Sequence, residues 1–169
     1  ALLLFAALLV AGCGEKSSTE AVSVSPHLKY ETEGDAVTIT GRDKKASGAL
    51  TIPATIEGKT VTSIGDWAFK DCTRLTSITI GDGVTSIGDW AFEGCSSLTS
   101  ITIPEGVTSI GWRAFYACDV LTSVTFEEGS QLTSIDNEAF YGCSSLTSIT
   151  IPDSVASIGR SAFSGCTSL

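Results

Sequence analysis

Apolar and polar residues recur along most of the chain with a period of 23 to 25 residues. Leu98, Ile101 and Ile103 are predicted to point inward and Thr102 outward, as in a short half-buried strand. Such a period, with Leu and Ile at set offsets, predicts a solenoid, because one repeat cannot bury its own apolar face and needs stacked neighbours. The marks of the period are the Leu-Thr-Ser segments at Leu75, Leu98, Leu121 and Leu146 and the Ala-Phe pairs ending at Phe69, Phe92, Phe115, Phe140 and Phe163.

The rest of each repeat predicts a turn, a second extended piece and a helical turn. Pro104-Glu105-Gly106 is typical of a turn, after which Val107 returns to the interior. Asp89 is well placed as a helix N-cap, with Phe92 and Cys95 following at helical spacing. The expected fold class is an α/β solenoid: a right-handed stack of 23–25-residue coils with short parallel strands and short helical turns.

A different pattern precedes the repeats. Residues 28–41 show two alternating segments around Glu33-Gly34-Asp35, which predicts a β-hairpin with a glycine-containing turn. The hairpin and the longer first repeat would cap the open end of the core. Residues 14–27 are polar and without periodicity, as in a flexible tether. The expected divisions are an export signal (1–12), a lipidated Cys and tether (13–27), a capping hairpin and loop (28–49) and the repeats (50–169).

The first stretch of the chain is apolar and ends in a cysteine. Its eleven apolar residues are too few to span a bilayer, which needs about 20, and fit the core of an export signal that is clipped at its N-terminus. Val10-Ala11-Gly12-Cys13 resembles a bacterial lipobox. That resemblance implies a diacylglyceryl group on the sulfur of Cys13 and cleavage just before it. The alternative is a buried helix that ends by chance in Ala-Gly-Cys.

The repeat motif LTSITIPxxVTSIGxxAFxGCSS resembles the BspA-like leucine-rich repeats of bacterial and protist surface proteins. The resemblance covers residues 50–169 and implies a curved solenoid with parallel strands that serves adhesion or recognition, with no family-wide catalytic residues. Two departures are the insertion around Ser130-Gln131 and Trp112-Arg113, which replaces Asp-Trp of earlier repeats. Leu169 opens a sixth repeat without a C-terminal cap, so we expect the natural chain to continue.

Charge and motif content narrow the classes of function. Ten Lys and Arg stand against nineteen Asp and Glu, a net charge of −9. An acidic chain without a basic patch argues against nucleic acid and against adsorption to anionic lipid. Nucleophile, zinc-protease and phosphate-loop motifs are absent from the sequence. We therefore predict no enzyme, no cofactor and no metal site.

Five cysteines repeat with the same period, at Cys72, Cys95, Cys118, Cys143 and Cys166. They could form a disulfide framework, which exported chains favour, or ligate a metal. An odd number cannot pair fully, and the one histidine, His27, lies in the tether. The pattern favours a ladder of buried free thiols, one per coil.

Two sets of residues are candidates for a binding surface. Trp67 and Trp90 share one offset of the repeat, and Tyr116 and Tyr141 share another; aromatic residues of these types are enriched in interface hot spots. The alternative is that they shield the turns. The turns after the first strands carry acidic residues that stacking would place about 5 Å apart, where a cation or basic partner could bind them, although a solvated turn face is the simpler interpretation. These residues are Asp82, Glu105, Glu128 and Asp153.

Together these features predict a lipid-anchored repeat protein of the cell envelope, exposed outside the cytoplasm. It would bind a macromolecular ligand, preferably a protein, for adhesion or recognition of host, matrix or other cell-surface proteins. The membrane would be contacted through the lipid anchor. Two alternatives are a structural spacer that displays a further C-terminal domain and a lipoprotein that captures glycans.

Overall fold

Thirteen strands and their connecting turns form the part of the chain that the computed structural model describes, residues 28–43 and 47–169. No helix in these two ranges is long and apolar enough to cross a membrane. The strands are β1 (Leu28–Glu33), β2 (Ala36–Arg42), β3 (Gly48–Ile52), β4 (Thr55–Ile56), β5 (Lys59–Ile64), β6 (Leu75–Ile80), β7 (Ser86–Ile87), β8 (Ser100–Ile103), β9 (Ser109–Ile110), β10 (Ser123–Phe126), β11 (Ser134–Ile135), β12 (Ser148–Ile149) and β13 (Ser157–Ile158).

The strands form two parallel stacks that run along the repeats. We number the coils 1 to 5 as residues 48–74, 75–97, 98–120, 121–145 and 146–169. Each coil supplies one strand to a sheet ordered β3-β6-β8-β10-β12 and one to a sheet ordered β5-β7-β9-β11-β13. Equivalent residues pair in register, for example Ile78 with Ile101 and Ser86 with Ser109. The predicted solenoid of stacked coils is therefore confirmed.

The hairpin ahead of the repeats extends the second sheet. Strands β1 and β2 pair antiparallel, and Gly34 in their turn has a positive φ of 59°, a conformation that glycine adopts without steric cost. Strand β2 then pairs in parallel with β5 of coil 1, and Val37 and Ile39 are fully buried. The hairpin covers the first coil, as the predicted cap does.

Phenylalanine rings form the centre of the core. Phe69, Phe92, Phe115 and Phe140 are fully buried, and Phe163 is partly buried. Neighbouring rings stack with centroids 5.1 to 5.3 Å apart and nearly parallel planes. Burying one such side chain contributes about 1.5–3 kcal/mol, so the column is a main source of stability.

The predicted helical turns are wrong. After β5, the backbone amides of alternate residues donate to carbonyls of the next coil instead of to carbonyls of their own turn, and later coils repeat this pattern. Because these bonds join coils, the turn needs no helix, and none forms in the described residues. The bonds from coil 1 to coil 2 run from Trp67 to Asp89 (2.9 Å), from Phe69 to Ala91 (2.7 Å) and from Asp71 to Glu93 (2.7 Å).

The prediction that Asp89 caps a helical turn of its own coil is also wrong, because its carboxylate binds an amide of a different coil. Its carboxylate oxygen Oδ1 accepts from the backbone amide of Trp112, in the next coil, at 2.8 Å. Asp66 likewise accepts from the amide of Asp89 at 2.8 Å. The acidic side chains thus cap the following coil, because the turns lie side by side in the stack and the neighbouring amide is within reach.

Candidate binding surface

Each turn contains two left-handed residues four positions apart, and the first of them carries a variable side chain on the surface. Its φ lies between 51° and 57° in all five coils. Residues other than glycine pay about 1–2 kcal/mol for this conformation, and the amide of each of the first four donates to a carbonyl of the following coil. Tryptophan, arginine, glutamate and serine all occupy the position, so the backbone bonds determine the conformation and the side chain is free to vary. This first column consists of Trp67, Trp90, Arg113, Glu138 and Ser161.

A second column lies three residues further along each turn. Its first two members form an ion pair, Lys70 Nζ to Glu93 Oε2 at 2.9 Å. The next two, Tyr116 and Tyr141, stack with ring centroids 5.0 Å apart and planes 6° from parallel. The fifth member is Ser164.

The two columns carry the same kinds of pair in opposite order. In the first column the aromatic pair comes first: Trp67 and Trp90 stack at 5.1 Å between centroids. The ion pair follows, with Arg113 Nη2 2.8 Å from Glu138 Oε2. The tryptophan pair and the tyrosine pair therefore lie diagonally across the turn face.

Trp112 and Arg113 join the two aromatic pairs. The Trp112 ring lies against Trp90, with centroids 4.3 Å apart and planes tilted by 54°. The guanidinium carbon of Arg113 is 5.0 Å from the Trp112 ring centroid and 4.9 Å from that of Tyr116. A cation over aromatic faces at these distances is attractive. The result is one continuous surface over coils 1 to 4, the aromatic strip: Trp67, Trp90, Trp112, Arg113, Tyr116 and Tyr141.

The sequence interpretation found four members of the strip and missed two. Trp112 and Arg113 stood out only as a departure from the Asp-Trp of earlier repeats. Trp112 takes the position of the capping aspartates, and its ring reaches the tryptophan of the coil before. The replacement of a repeated capping aspartate by an aromatic residue is the sequence signal that could have identified Trp112 as part of the strip.

The strip is accessible to a partner. Trp67 is 55% exposed and Tyr141 36% exposed, while Trp90, Trp112 and Tyr116 are partly buried by their neighbours. Stacked rings restrict one another and lose little conformational freedom on binding, which favours affinity. The arrangement is suited to presenting rigid aromatic anchors.

The acidic turn residues lie elsewhere on each coil. Asp82, Glu105, Glu128 and Asp153 are exposed and follow the strands of the first sheet. The amide of Glu105 donates to the carboxylate of Glu127, not of Glu128, at 3.1 Å. In the described residues no three His, Cys, Asp or Glu side chains are placed to hold a metal ion together. These four residues place negative charge on the turns after the first sheet, whereas the strip lies on the turns after the second.

The repeated cysteines form the ladder of free thiols that their spacing favours. Cys72, Cys95, Cys118 and Cys143 are buried and Cys166 is half-buried. From Cys95 onward, each Sγ donates to the carbonyl of a core phenylalanine in the preceding coil, at 3.1 to 3.2 Å. Burial raises the pKa of Cys95 and of Cys143 to about 12, and that of Cys118 well above its ordinary value. These thiols are core groups and weak nucleophiles.

The remaining candidate, Cys13, and the apolar stretch before it lie outside the described residues.

Comparison with known proteins shows that the repeats match a known family of repeat sequences. Residues 49–169 match the BspA type leucine rich repeat region, in six copies. A search of curated protein sequences found no match.

Solved structures of bacterial leucine-rich repeat proteins are similar to the chain. The leucine rich repeat protein of T. pallidum is 31% identical, with a TM-score of 0.80 over 86% of this chain and 67% of that one. A leucine-rich repeat protein from Bacteroides ovatus is 36% identical, with a TM-score of 0.75 over 85% and 38%. The pneumococcal vaccine antigen PcpA is 26% identical, with a TM-score of 0.54 over 83% and 46%. The chain thus spans 67% of the first of these proteins and less than half of the other two.

Proposed function

Because the chain belongs to the BspA type leucine-rich repeat family, we propose that it is a cell-surface recognition protein whose aromatic strip binds a macromolecular partner, preferably a protein. Repeat proteins of this kind in general serve as binding scaffolds, since stacking produces extended surfaces. The observation that supports the proposal for this chain is the continuity of the strip over four coils.

The size of an interface explains why continuity matters. A stable protein–protein interface buries about 800 Å² on each partner, and one coil adds only about 5 Å to the stack. Several coils must therefore act together. Tryptophan, tyrosine and arginine, which make up the strip, are also the residue types most enriched among interface hot spots.

The negative charge of the chain would affect the rate at which the partner associates. The chain carries a net charge of −9, and its acidic turns would attract a partner with a basic surface and speed its association. The ion pair of Arg113 with Glu138 cancels the one positive charge within the strip, so the anchors themselves favour a neutral, apolar contact. Association should accordingly slow in high salt, while dissociation changes little.

The binding test uses substitutions that the turns already accept. Trp90→Ser, Tyr116→Ser and Tyr141→Ser together place serine where coil 5 has Ser161 and Ser164. The triple variant should lose capture of its partner in a panel of matrix and host-surface proteins immobilised for biolayer interferometry. A matched control, Thr79→Ala with Thr102→Ala, changes two exposed hydroxyls on the first sheet and should bind as the unsubstituted chain does.

Two outcomes would contradict this proposal. Binding by the triple variant at full strength would remove the strip from the site. Absence of binding by the unsubstituted chain over the whole panel would favour the spacer function. Circular dichroism of each variant checks that the fold is retained.

The attachment to the membrane is a separate part of the proposal and is supported by the lipobox-like Val10-Ala11-Gly12-Cys13. With a charged leader added ahead of Ala1, the chain should incorporate labelled palmitate in a lipoprotein-competent bacterium and partition into detergent. Cys13→Ala should abolish both, and Ser17→Ala in the adjoining polar segment should abolish neither. Equal partitioning of the Cys13→Ala variant would show that the cysteine carries no lipid.

A further inference from the structure

The fourth coil carries an insertion, and a cleft beside it contains no residue of the aromatic strip. Strands β8 and β10 pair over four residues, from Ser100 with Ser123 to Ile103 with Phe126. Strands β10 and β12 pair over two residues, and the pairing ends at Val124 with Ile149, as that of β6 with β8 ends at Ile78 with Ile101. Beyond that point a cleft of about 610 Å³ opens between coil 4 and coil 5.

The two-residue insertion in coil 4 lies beside the cleft, because Gly129 and Ser130 belong to its lining. The longer loop bonds back to coil 3: the Glu127 amide donates to the Ile103 carbonyl at 3.1 Å, and the Gln131 amide to the Glu105 carbonyl at 2.9 Å. The Glu105 amide in turn donates to the Glu127 carboxylate. The loop is thus bonded to coil 3 and forms the coil 4 side of the cleft.

Free hydroxyl groups line the cleft. The cleft is bordered by the side chains of Ser123, Thr125, Ser148 and Thr150. Within residues 28–43 and 47–169, none of their hydroxyl groups makes a hydrogen bond. Threonines at other offsets behave differently. Thr108 and Thr122, for example, donate to carbonyls of the preceding coil at 3.1 Å and 3.0 Å. The hydroxyls of the cleft are therefore available to a ligand.

An aromatic ring and two carboxylates complete the lining. Phe126 is partly buried and stands where the paired strand has Ile103. Glu127 and Asp153 border the cleft, and none of its lining residues is Lys, Arg or His. Hydroxyl and carboxylate oxygens accept from ligand hydroxyl and ammonium groups, and a ring face packs against an apolar surface. The two carboxylates and the lack of a cationic side chain in the lining disfavour anionic groups.

We propose that this cleft binds a saccharide segment made of neutral or amino sugars. A sugar ring presents several hydroxyls around its edge and an apolar face of C–H groups, which correspond to the hydroxyls and to the Phe126 ring. The cleft volume lies within the range of roughly 300–1,000 Å³ typical of small-ligand sites, and insertions into repeats often mark the binding face. The site shares no residue with the aromatic strip and is independent of the function proposed above.

The test is binding of the purified chain to an array of neutral, N-acetylated, amino and acidic oligosaccharides. Phe126→Ile restores the residue of coils 2 and 3 and keeps the core filled, so it should fold normally. It should weaken saccharide binding about tenfold, as loss of an aromatic contact can. Asp153→Asn should weaken binding of amino sugars most, because it removes a charge-assisted hydrogen bond.

Matched controls lie on neighbouring coils outside the cleft. Thr102→Val and Asp82→Asn make the corresponding changes at exposed positions in coils 3 and 2, and both should bind saccharides as the unsubstituted chain does, whereas Thr125→Val should weaken binding. No saccharide bound, binding of acidic saccharides alone, or equal binding by the Phe126→Ile variant would each overturn the proposal. The triple variant of the aromatic strip should retain saccharide binding, which separates the two sites.

Discussion

Trp90 and Trp112 are joined both through their backbones and through their rings. The Trp90 amide donates to the Trp112 carbonyl at 2.8 Å, and the ring centroids lie 4.3 Å apart. The backbone bond recurs at this position along the stack, whereas the ring contact occurs only here. The turn and its aromatic surface can therefore be changed separately.

Trp112→Asp tests that separation, because coils 1 and 2 have Asp66 and Asp89 at the same position. The Trp112 amide keeps its bond to the Asp89 carboxylate, so the free energy of unfolding should change by less than about 1 kcal/mol, as for most surface substitutions. Trp90 should become more exposed and its fluorescence emission should shift to longer wavelength. A loss of several kcal/mol in denaturant unfolding would instead make Trp112 a core residue.

Phe115→Ala should destabilise the stack strongly. Phe115 is fully buried between two other rings, and truncation of such a side chain costs about 3–5 kcal/mol. Since neighbouring repeats are coupled, adjacent coils should unfold with it. Urea unfolding followed by circular dichroism measures the change, and Phe163→Ala, at a partly buried position, should cost less. A cost below about 1 kcal/mol for Phe115→Ala would contradict the assigned core.

The repeat thiols should react with a labelling reagent in the order of their exposure. Cys166 is half-buried and should be modified first, while Cys118, fully buried, should be protected until the stack opens. Mass spectrometry of the folded chain over time measures the order, and Cys166→Ala should remove the fastest step. Denaturation without reductant should make all five repeat thiols reactive, whereas disulfides between them would contradict the free-thiol ladder.

The stability of the stack should fall at alkaline pH. In the unfolded chain a thiol ionises near its ordinary value of 9.0, but the pKa of Cys95 and of Cys143 is raised to about 12 in the fold. As pH rises above 9, the unfolded state loses these protons first, so unfolding becomes more favourable up to the folded pKa. Denaturant midpoints at about pH 8 and about pH 10.5, on either side of the pKa of the unfolded thiol, measure the loss. Substituting Cys95 and Cys143 by alanine should reduce the pH dependence, and an unchanged slope would assign it to other groups.

The sequence was sufficient to predict the coils, because they follow a pattern that repeats within the chain, and the capping hairpin, because two alternating segments flank a glycine-containing turn. Cys118, for example, was identified as a buried position from its place in the repeat. The turns were not predicted correctly, because the bonds that set the backbone of Trp90 connect residues one coil apart. Local helical spacing contains no information on such bonds.

The surfaces were predicted only in part for a related reason. Trp67, Trp90, Tyr116 and Tyr141 repeat in register and could be found, but Arg113 joins them through contacts that depend on the orientation of its side chain. The cleft beside Phe126 is lined by two neighbouring coils, whose spacing depends on packing across the stack. The insertion was visible in the sequence, and the direction of the loop was not.

The first left-handed residue of each turn has a consequence for how this chain can evolve. Its conformation is maintained by the amide and carbonyl, so Trp67, Arg113 and Ser161 are interchangeable as far as folding is concerned. A point mutation there alters the side-chain surface around one coil and leaves the backbone of the stack as it was. Specificity for a new partner can therefore be acquired in small inherited steps, each on a scaffold that continues to fold.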